Sequence, residues 1–157
     1  MKRIIKLFLL FLLGVFVLMQ LFPVEKPMVT MDNPNDLIGS GLVSKEVATI
    51  VQTSCYDCHS NQTNYPWYSK IAPVSWILYD HIEEGREHLN FSNWNRLEKE
   101  DKMEALDEII EVIEEGEMPL ESYLLIHREA NLSEHQQEAI IQWAESYMED
   151  LFRLETE

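Results

Sequence analysis

The chain carries one run of residues whose types and spacing indicate chemistry, the five positions from Cys55 to His59. The run has the pattern C-x-x-C-H, and Cys55 and Cys58 are the only cysteines in the sequence. Because residues three and four apart share a face of a helical turn, both thiols can form thioethers with the vinyl groups of one haem. The imidazole of His59 can then bind the iron. The pattern therefore predicts one covalently attached haem c, with His59 as an iron ligand.

Paired cysteines also occur in structural disulfides, in thioredoxin-like redox pairs and in halves of zinc sites. A redox pair of this kind is expected near a βαβ pattern, which the sequence lacks. A zinc site needs further ligands at recognisable spacing, and there is no second paired motif. Neither alternative explains why a histidine follows Cys58 directly, so the haem site is preferred.

The first 22 residues predict an uncleaved signal anchor in the form of a single transmembrane helix. Residues 4–22 are almost all apolar and come close to the ~20 residues that cross a bilayer. Lys2, Arg3 and Lys6 place the N-terminal end in the cytoplasm, so the rest of the chain is expected in the periplasm, held at the inner membrane. No small-x-small cleavage pattern follows the apolar run, and a cleaved signal peptide is the alternative.

The composition is strongly acidic, with 28 Asp and Glu residues against 12 Lys and Arg residues and a formal charge of -16. A chain of this charge is repelled by phosphates, so nucleic-acid binding is disfavoured. A redox partner protein that docks by electrostatic steering is expected to present a basic surface. The alternative explanation of the acid excess is the solubility of exposed helix faces.

Beyond the N-terminal run, the sequence predicts a linker over residues 23–43 and one haem-binding domain over residues 44–157. The linker is rich in Pro, Asn, Asp, Gly and Ser and has no periodicity. In the domain, apolar residues recur at steps of three and four, Ser44 and Ser133 are suited to cap helices, and Gly85 is expected to break one. No segment predicts a strand, so the predicted fold class is all-α.

An aromatic segment punctuated by Pro66 and Pro73 follows the motif and contains Trp67 and Tyr68. These rings can pack on the rim of a haem or donate hydrogen bonds to its propionates, or they can fill ordinary core. Arg86 is the preferred propionate partner among the few cations here, because a guanidinium matches a carboxylate. Trp67, Tyr68 and Arg86 are therefore predicted haem-binding residues.

Met118 is the candidate for the second iron ligand. It lies in a short loop between Gly116, which ends a helical pattern, and Pro119, which restricts the residue before it to extended conformations. Such a loop can present a thioether sulfur at a small ordering cost. Four histidines compete with Met118 for this role and would give iron with two histidine ligands: His81, His88, His127 and His135.

The chain resembles bacterial haem-binding domain proteins related to class I cytochromes c, over roughly residues 33–147. The resemblance rests on these motifs: Ser54-Cys55-Tyr56-Asp57-Cys58-His59-Ser60-Asn61, Tyr65-Pro66-Trp67-Tyr68 with Ile71-Ala72-Pro73, Gly85-Arg86 with Asn90-Phe91-Ser92-Asn93-Trp94, and Met118-Pro119. It implies a small cytochrome c-like fold whose first and last helices cross beside the haem. It also implies His59 as the proximal ligand and Met118 as the distal ligand.

These observations predict a membrane-anchored periplasmic c-type cytochrome with one haem, an electron carrier rather than an enzyme. Its iron would pass single electrons, and a thioether ligand would raise the reduction potential relative to two histidines. The alternative is a haem peroxidase or a gas sensor, in which the distal position is open or easily vacated.

Overall fold

The computed structural model describes residues 1–153, and those residues form α-helices and short 3-10 turns without any strand. The predicted all-α fold class is confirmed. The α-helices are α1 (Lys2–Met19), α2 (Lys45–Ser54), α3 (Tyr56–His59), α4 (Val74–His88), α5 (Lys99–Glu114), α6 (Glu121–Leu124) and α7 (Glu134–Arg153). Residues 154–157, at the end of the predicted domain 44–157, lie outside the described residues.

Helices α2, α5 and α7 build the core of the domain. α2 begins where the Ser44 hydroxyl accepts a hydrogen bond from the Val47 amide at 3.2 Å, as predicted for a capping serine. Its apolar face packs on α7, which also packs along α5. Trp94, on a 3-10 turn between α4 and α5, is fully buried among them. The periodic apolar stripes of the sequence therefore face one common core.

The segment predicted as a linker, residues 23–43, lies against the domain from Pro27 to Leu42. Leu37 is fully buried, and its amide donates to the carbonyl of Phe91 at 2.9 Å. The buried carboxylate of Asp36 accepts hydrogen bonds from the Tyr56 hydroxyl at 3.0 Å and from the Ser92 hydroxyl at 3.3 Å. This segment thus joins the C-x-x-C-H motif to the turn that follows α4.

Helix α1 has no buried residue, and its large apolar side chains are exposed. Its C-terminal end is attached to the domain, because the Gln20 amide group donates to the Ala72 carbonyl and accepts from the Ala72 amide, each at 3.0 Å. The indole of Trp76 also donates to the carbonyl of Phe22 at 3.0 Å. Hydrogen bonds therefore join the end of α1 to residues 72–76, at the start of α4.

The transmembrane helix predicted for residues 1–22 is not supported by the structure. Among residues 1–153 no helix combines the length and the apolar character required to cross a membrane. α1 ends at Met19 after 18 residues. Three of its residues, Lys2, Arg3 and Lys6, are charged.

Candidate haem-binding site

The C-x-x-C-H motif occupies the short helix α3, immediately after α2. The chain bends at Cys55, where φ is -123° and ψ is -36°, so α2 ends and a new turn begins. The amides of Cys58 and His59 both donate to the carbonyl of Cys55, at 3.2 and 2.9 Å. This turn directs the two cysteines and the histidine towards one cavity, which all three residues line.

Tyr56 holds the opposite side of the motif in the core. Its ring is buried and stacks on the ring of Phe91, with the centroids 5.5 Å apart. Its hydroxyl donates to Asp36, and its carbonyl accepts from the hydroxyl of Ser60 at 2.7 Å. The turn that presents the cysteines is therefore anchored from behind.

Gly85 brings α4 into direct contact with the motif. A Cβ atom at this position would lie 3.1 Å from the carbonyl oxygen of Cys58 and 3.3 Å from its carbonyl carbon. Contacts of this length are tighter than nine in ten real Cβ contacts, so a side chain at position 85 would push the two backbones slightly apart. The prediction that Gly85 breaks a helix is wrong, because α4 continues without interruption to His88.

The ring of His59 has a defined orientation, since its Nδ1 lies 3.1 Å from the carbonyl oxygen of Leu89. A carbonyl can only accept a hydrogen bond, so Nδ1 carries the proton and Nε2 keeps its lone pair for a metal. Burial lowers the pKa of His59 below its ordinary value, and this outweighs the opposing effect of the backbone carbonyls. The neutral, ligand-competent imidazole is thereby favoured.

The two cysteines form no disulfide with each other. Burial raises the pKa of Cys55 to about 12 and that of Cys58 to about 11, with a smaller contribution to Cys58 from the nearby Asp57 carboxylate. Both side chains are therefore neutral at pH 7. A thioredoxin-like redox pair instead requires a lowered thiol pKa, so these environments disfavour that alternative.

The cavity has a volume of about 720 Å³, within the range of about 300–1,000 Å³ that ligand pockets occupy. Helices α2, α3, α4, α5 and α7 contribute to its wall, as does the loop after α5. Much of the wall is apolar, including Val51, Leu89, Phe91, Ile109, Val112 and Ile140. With two thiols, an oriented imidazole and a thioether on the same wall, these residues fit a haem.

Met118 lies on the cavity wall in the loop between α5 and α6. Gly116 ends α5 with a φ of +71°, a backbone conformation that favours glycine. The amides of Glu117 and Met118 then both donate to the carbonyl of Val112, at 2.9 and 3.2 Å. The loop is thereby folded back against α5, and Met118 lines the same cavity as His59. Its role as the second iron ligand stays a prediction.

The four competing histidines lie in different environments. His81 and His88, one on each side of Gly85 along α4, line the cavity. His127 is hydrogen-bonded to Tyr68 and to Glu129 instead. His135 is exposed and lies 3.6 Å from Glu46. Neither His127 nor His135 belongs to the cavity wall.

The structure does not bring Trp67 and Tyr68 to the cavity wall. The side chain of Trp67 is 80% exposed, and its ring packs edge-on against that of Tyr68. The Tyr68 hydroxyl lies 2.7 Å from Nε2 of His127. Their expected contact with haem stays a prediction that this arrangement does not support.

Arg86 also lies off the cavity wall, and its guanidinium is occupied by other partners. Its Nε donates to the carbonyl of Ser60 at 2.8 Å, and its two terminal nitrogens donate to the Met28 carbonyl and the Thr63 hydroxyl, each at 2.9 Å. Arg86 thus ties the loop after the motif to the N-terminal segment. Its role as a propionate partner stays a prediction that this arrangement does not support.

Sequence reasoning did not identify several residues that build the site. Leu89 acts through its carbonyl, which leaves no signal in the residue type. Asp36 lies in the predicted linker, and Tyr123, which lines the cavity, belongs to no motif of the sequence. Gly85 carried a detectable signal, because a glycine within a helical pattern often marks a close backbone contact.

The fold and the site define an all-helical domain with a haem-sized cavity and a C-x-x-C-H motif on its wall. The chain belongs to the haem-binding domain family, whose sequence model matches residues 14–146. This confirms the expected family and supports haem binding, while a relation to class I cytochromes c stays a prediction. No curated protein and no solved structure significantly matches the chain.

Proposed function

We propose that the protein is a c-type cytochrome that carries one covalently attached haem and transfers single electrons. The observation that carries this proposal is that Cys55, Cys58, His59 and Met118 all line one cavity. Cys55 and Cys58 would hold the haem through thioethers, and His59 and Met118 would bind the iron. A bound haem supplies an iron atom that can be ferric or ferrous, so one electron can be stored and released.

The residues of the chain contribute orientation and burial. The Leu89 carbonyl fixes the plane of the His59 ring, and the apolar wall limits access of water. A thioether from Met118 is a neutral, soft ligand, which favours the ferrous state relative to a second imidazole. These features suit an electron carrier with a raised reduction potential.

The expected partner is a redox protein with a basic surface. Five exposed glutamates lie on the cavity wall: Glu84, Glu108, Glu111, Glu115 and Glu117. Among the described residues of that wall there is no lysine or arginine. Negative charge around the cavity would attract a cationic partner and repel nucleic acid.

We also propose that the protein works at the inner membrane, on its periplasmic side. The support is the exposed apolar surface of α1, since apolar patches of this kind mark contacts with membranes or other proteins. Covalent haem attachment to a C-x-x-C-H motif is expected in the same compartment.

A second candidate function is small-ligand binding or peroxidase activity at a vacated distal position. It is favoured by one observation, the loose attachment of the segment that carries Met118. Gly116 and Glu117 are exposed, and α6 has no buried residue. The ferrous spectrum with and without CO separates this candidate from a closed electron carrier.

The covalent attachment is tested by denaturing the purified protein in acidified organic solvent. We expect the pigment to stay with the polypeptide, and a Cys55→Ser, Cys58→Ser double variant to release it. Pigment that extracts from the parent protein would show that no thioethers form. A protein without visible absorbance, expressed together with a c-type maturation system, would contradict haem binding itself.

A further inference from the structure

The segment after Met118 is held to the domain by few contacts. On its N-terminal side, the Val112 carbonyl anchors Glu117 and Met118. On its C-terminal side lies α6, which has only four residues, none of them buried. The contacts between α6 and the rest of the domain therefore help to determine how firmly Met118 is held at the cavity.

Tyr123, in α6, makes a direct contact with the motif. Its hydroxyl donates to Oδ2 of Asp57 at 2.8 Å, and Asp57 lies between the two cysteines of the motif. The same tyrosine lines the cavity. One hydrogen bond thus joins the helix that follows Met118 directly to the turn that carries His59.

Asp57 is a fixed acceptor. Its other carboxylate oxygen accepts from the amide of Asn64 at 2.9 Å, and its carbonyl accepts from the hydroxyl of Thr63 at 2.7 Å. Burial and the Asp57 carboxylate together raise the pKa of Tyr123, so its hydroxyl keeps the proton that it donates. The bond therefore joins a neutral donor to a charged acceptor of defined position.

The ring of Tyr123 is oriented as well. It stacks on the imidazole of His127, with the centroids 4.3 Å apart and the planes 11° apart. His127 in turn is hydrogen-bonded to Tyr68, 2.7 Å from its hydroxyl. This contact remains when the Tyr123 hydroxyl alone is removed, which makes Phe a conservative replacement.

We infer that Tyr123 is a positioning residue for the distal side of the haem, and that its hydrogen bond to Asp57 sets how readily the sixth position of the iron opens. The inference rests on the proposed ligation by Met118. If the bond is lost, the segment around Met118 leaves the cavity more often. A small ligand then finds a larger fraction of the protein in the competent state, and its apparent affinity rises by the same factor.

The test compares Tyr123→Phe with the parent holoprotein. For the ferrous form we expect an apparent CO affinity raised roughly tenfold or more, the factor that corresponds to losing a hydrogen bond to a charged acceptor. Amide hydrogen exchange should become faster in residues 117–124 and stay unchanged in α5 and α7. Tyr65→Phe is the matched control, because it removes a hydroxyl that donates to the Pro27 carbonyl at 2.7 Å, away from the cavity.

Met118→Ala separates this inference from the proposed function. If Tyr123 acts through Met118, Tyr123→Phe should change CO affinity in the parent and have no further effect in the Met118→Ala background. If Met118→Ala binds CO tightly while Tyr123→Phe behaves like the parent, the positioning role fails and the ligation stands. If Met118→Ala leaves CO binding unchanged, the ligation fails and the positioning role fails with it.

Discussion

Nδ1 of His59 lies 3.1 Å from the carbonyl oxygen of Leu89, the residue that immediately follows α4. This contact joins the histidine of the haem motif to a backbone group 30 residues further along the chain. It fixes the tautomer and the ring plane, so the free nitrogen is available to a metal. Because the partner is a carbonyl, its position depends on where α4 lies, and that depends on Gly85.

Replacing Gly85 with alanine is expected to destabilise the protein by about 1–3 kcal/mol, the cost of overpacking a close contact. Alanine gains at most about 1 kcal/mol of helix propensity over glycine. This gain is smaller than the cost of the close contact with the Cys58 backbone. That backbone has little room to move, because the neighbouring Tyr56 ring is packed in the core against Phe91.

The midpoint of urea unfolding measures this effect. Gly39→Ala is the control, since a Cβ there would meet nothing nearer than the Asp36 Cβ at 4.0 Å. Equal midpoints for the Gly85 and Gly39 variants would show that the approach of α4 to the motif is not tight.

Met118→Ala is expected to open the iron to CO, to remove the sulfur-to-iron charge-transfer band of the ferric spectrum and to lower the reduction potential. The haem should stay covalently attached, because the cysteines are untouched. Met103→Ala provides the control, as it makes the same chemical change outside the cavity wall.

If the Met118 variant keeps the parent's spectrum and reduction potential, another residue is the second iron ligand. His81 and His88 are then the next positions to replace, because they line the cavity whereas His127 and His135 do not.

Asp36→Asn is expected to lower the free energy of unfolding by about 1.5–3 kcal/mol, the range for hydrogen bonds to a charged acceptor. Both carboxylate oxygens accept from donors, with Tyr56 at one oxygen and Gln62 and Ser92 at the other. The NH₂ group of an asparagine would face one of these donors. Chemical denaturation measures this change, and Asp32→Asn, at an exposed position, is the control. An equal loss of unfolding free energy in both variants would contradict the prediction.

Arg86→Lys distinguishes a structural role from a role in binding propionates. Lysine cannot reproduce three donors in a planar fork, so we expect a loss of about 1–3 kcal/mol of stability with the haem spectrum and the potential nearly unchanged. Arg96→Lys, at an exposed position, serves as the reference. A shift in the reduction potential without a loss of stability would instead support Arg86 as a propionate partner.

Local chemistry made much of the helical framework predictable. The backbone amide and the hydroxyl of Ser133 both donate to the side-chain oxygen of Gln136, each at 2.9 Å, and the backbone amide of Gln136 donates to the Ser133 hydroxyl at 3.4 Å. Ser133 therefore caps the start of α7 as predicted. Such signals involve residues a few positions apart, and their meaning does not depend on the rest of the fold. The same is true of the apolar stripe of α7.

By itself the sequence determined the motif, the all-α class and the helices of the core, because spacing, capping and periodicity are properties of neighbouring residues. Only the tertiary structure decided what surrounds the motif. Arg86 binds loop atoms instead of facing the cavity, and Tyr123 reaches Asp57 across 66 positions of the chain. Contacts at such separations depend on how whole helices pack. The Leu89 carbonyl could not be predicted either, because every residue has a backbone carbonyl and the residue type does not show which one accepts a hydrogen bond from His59.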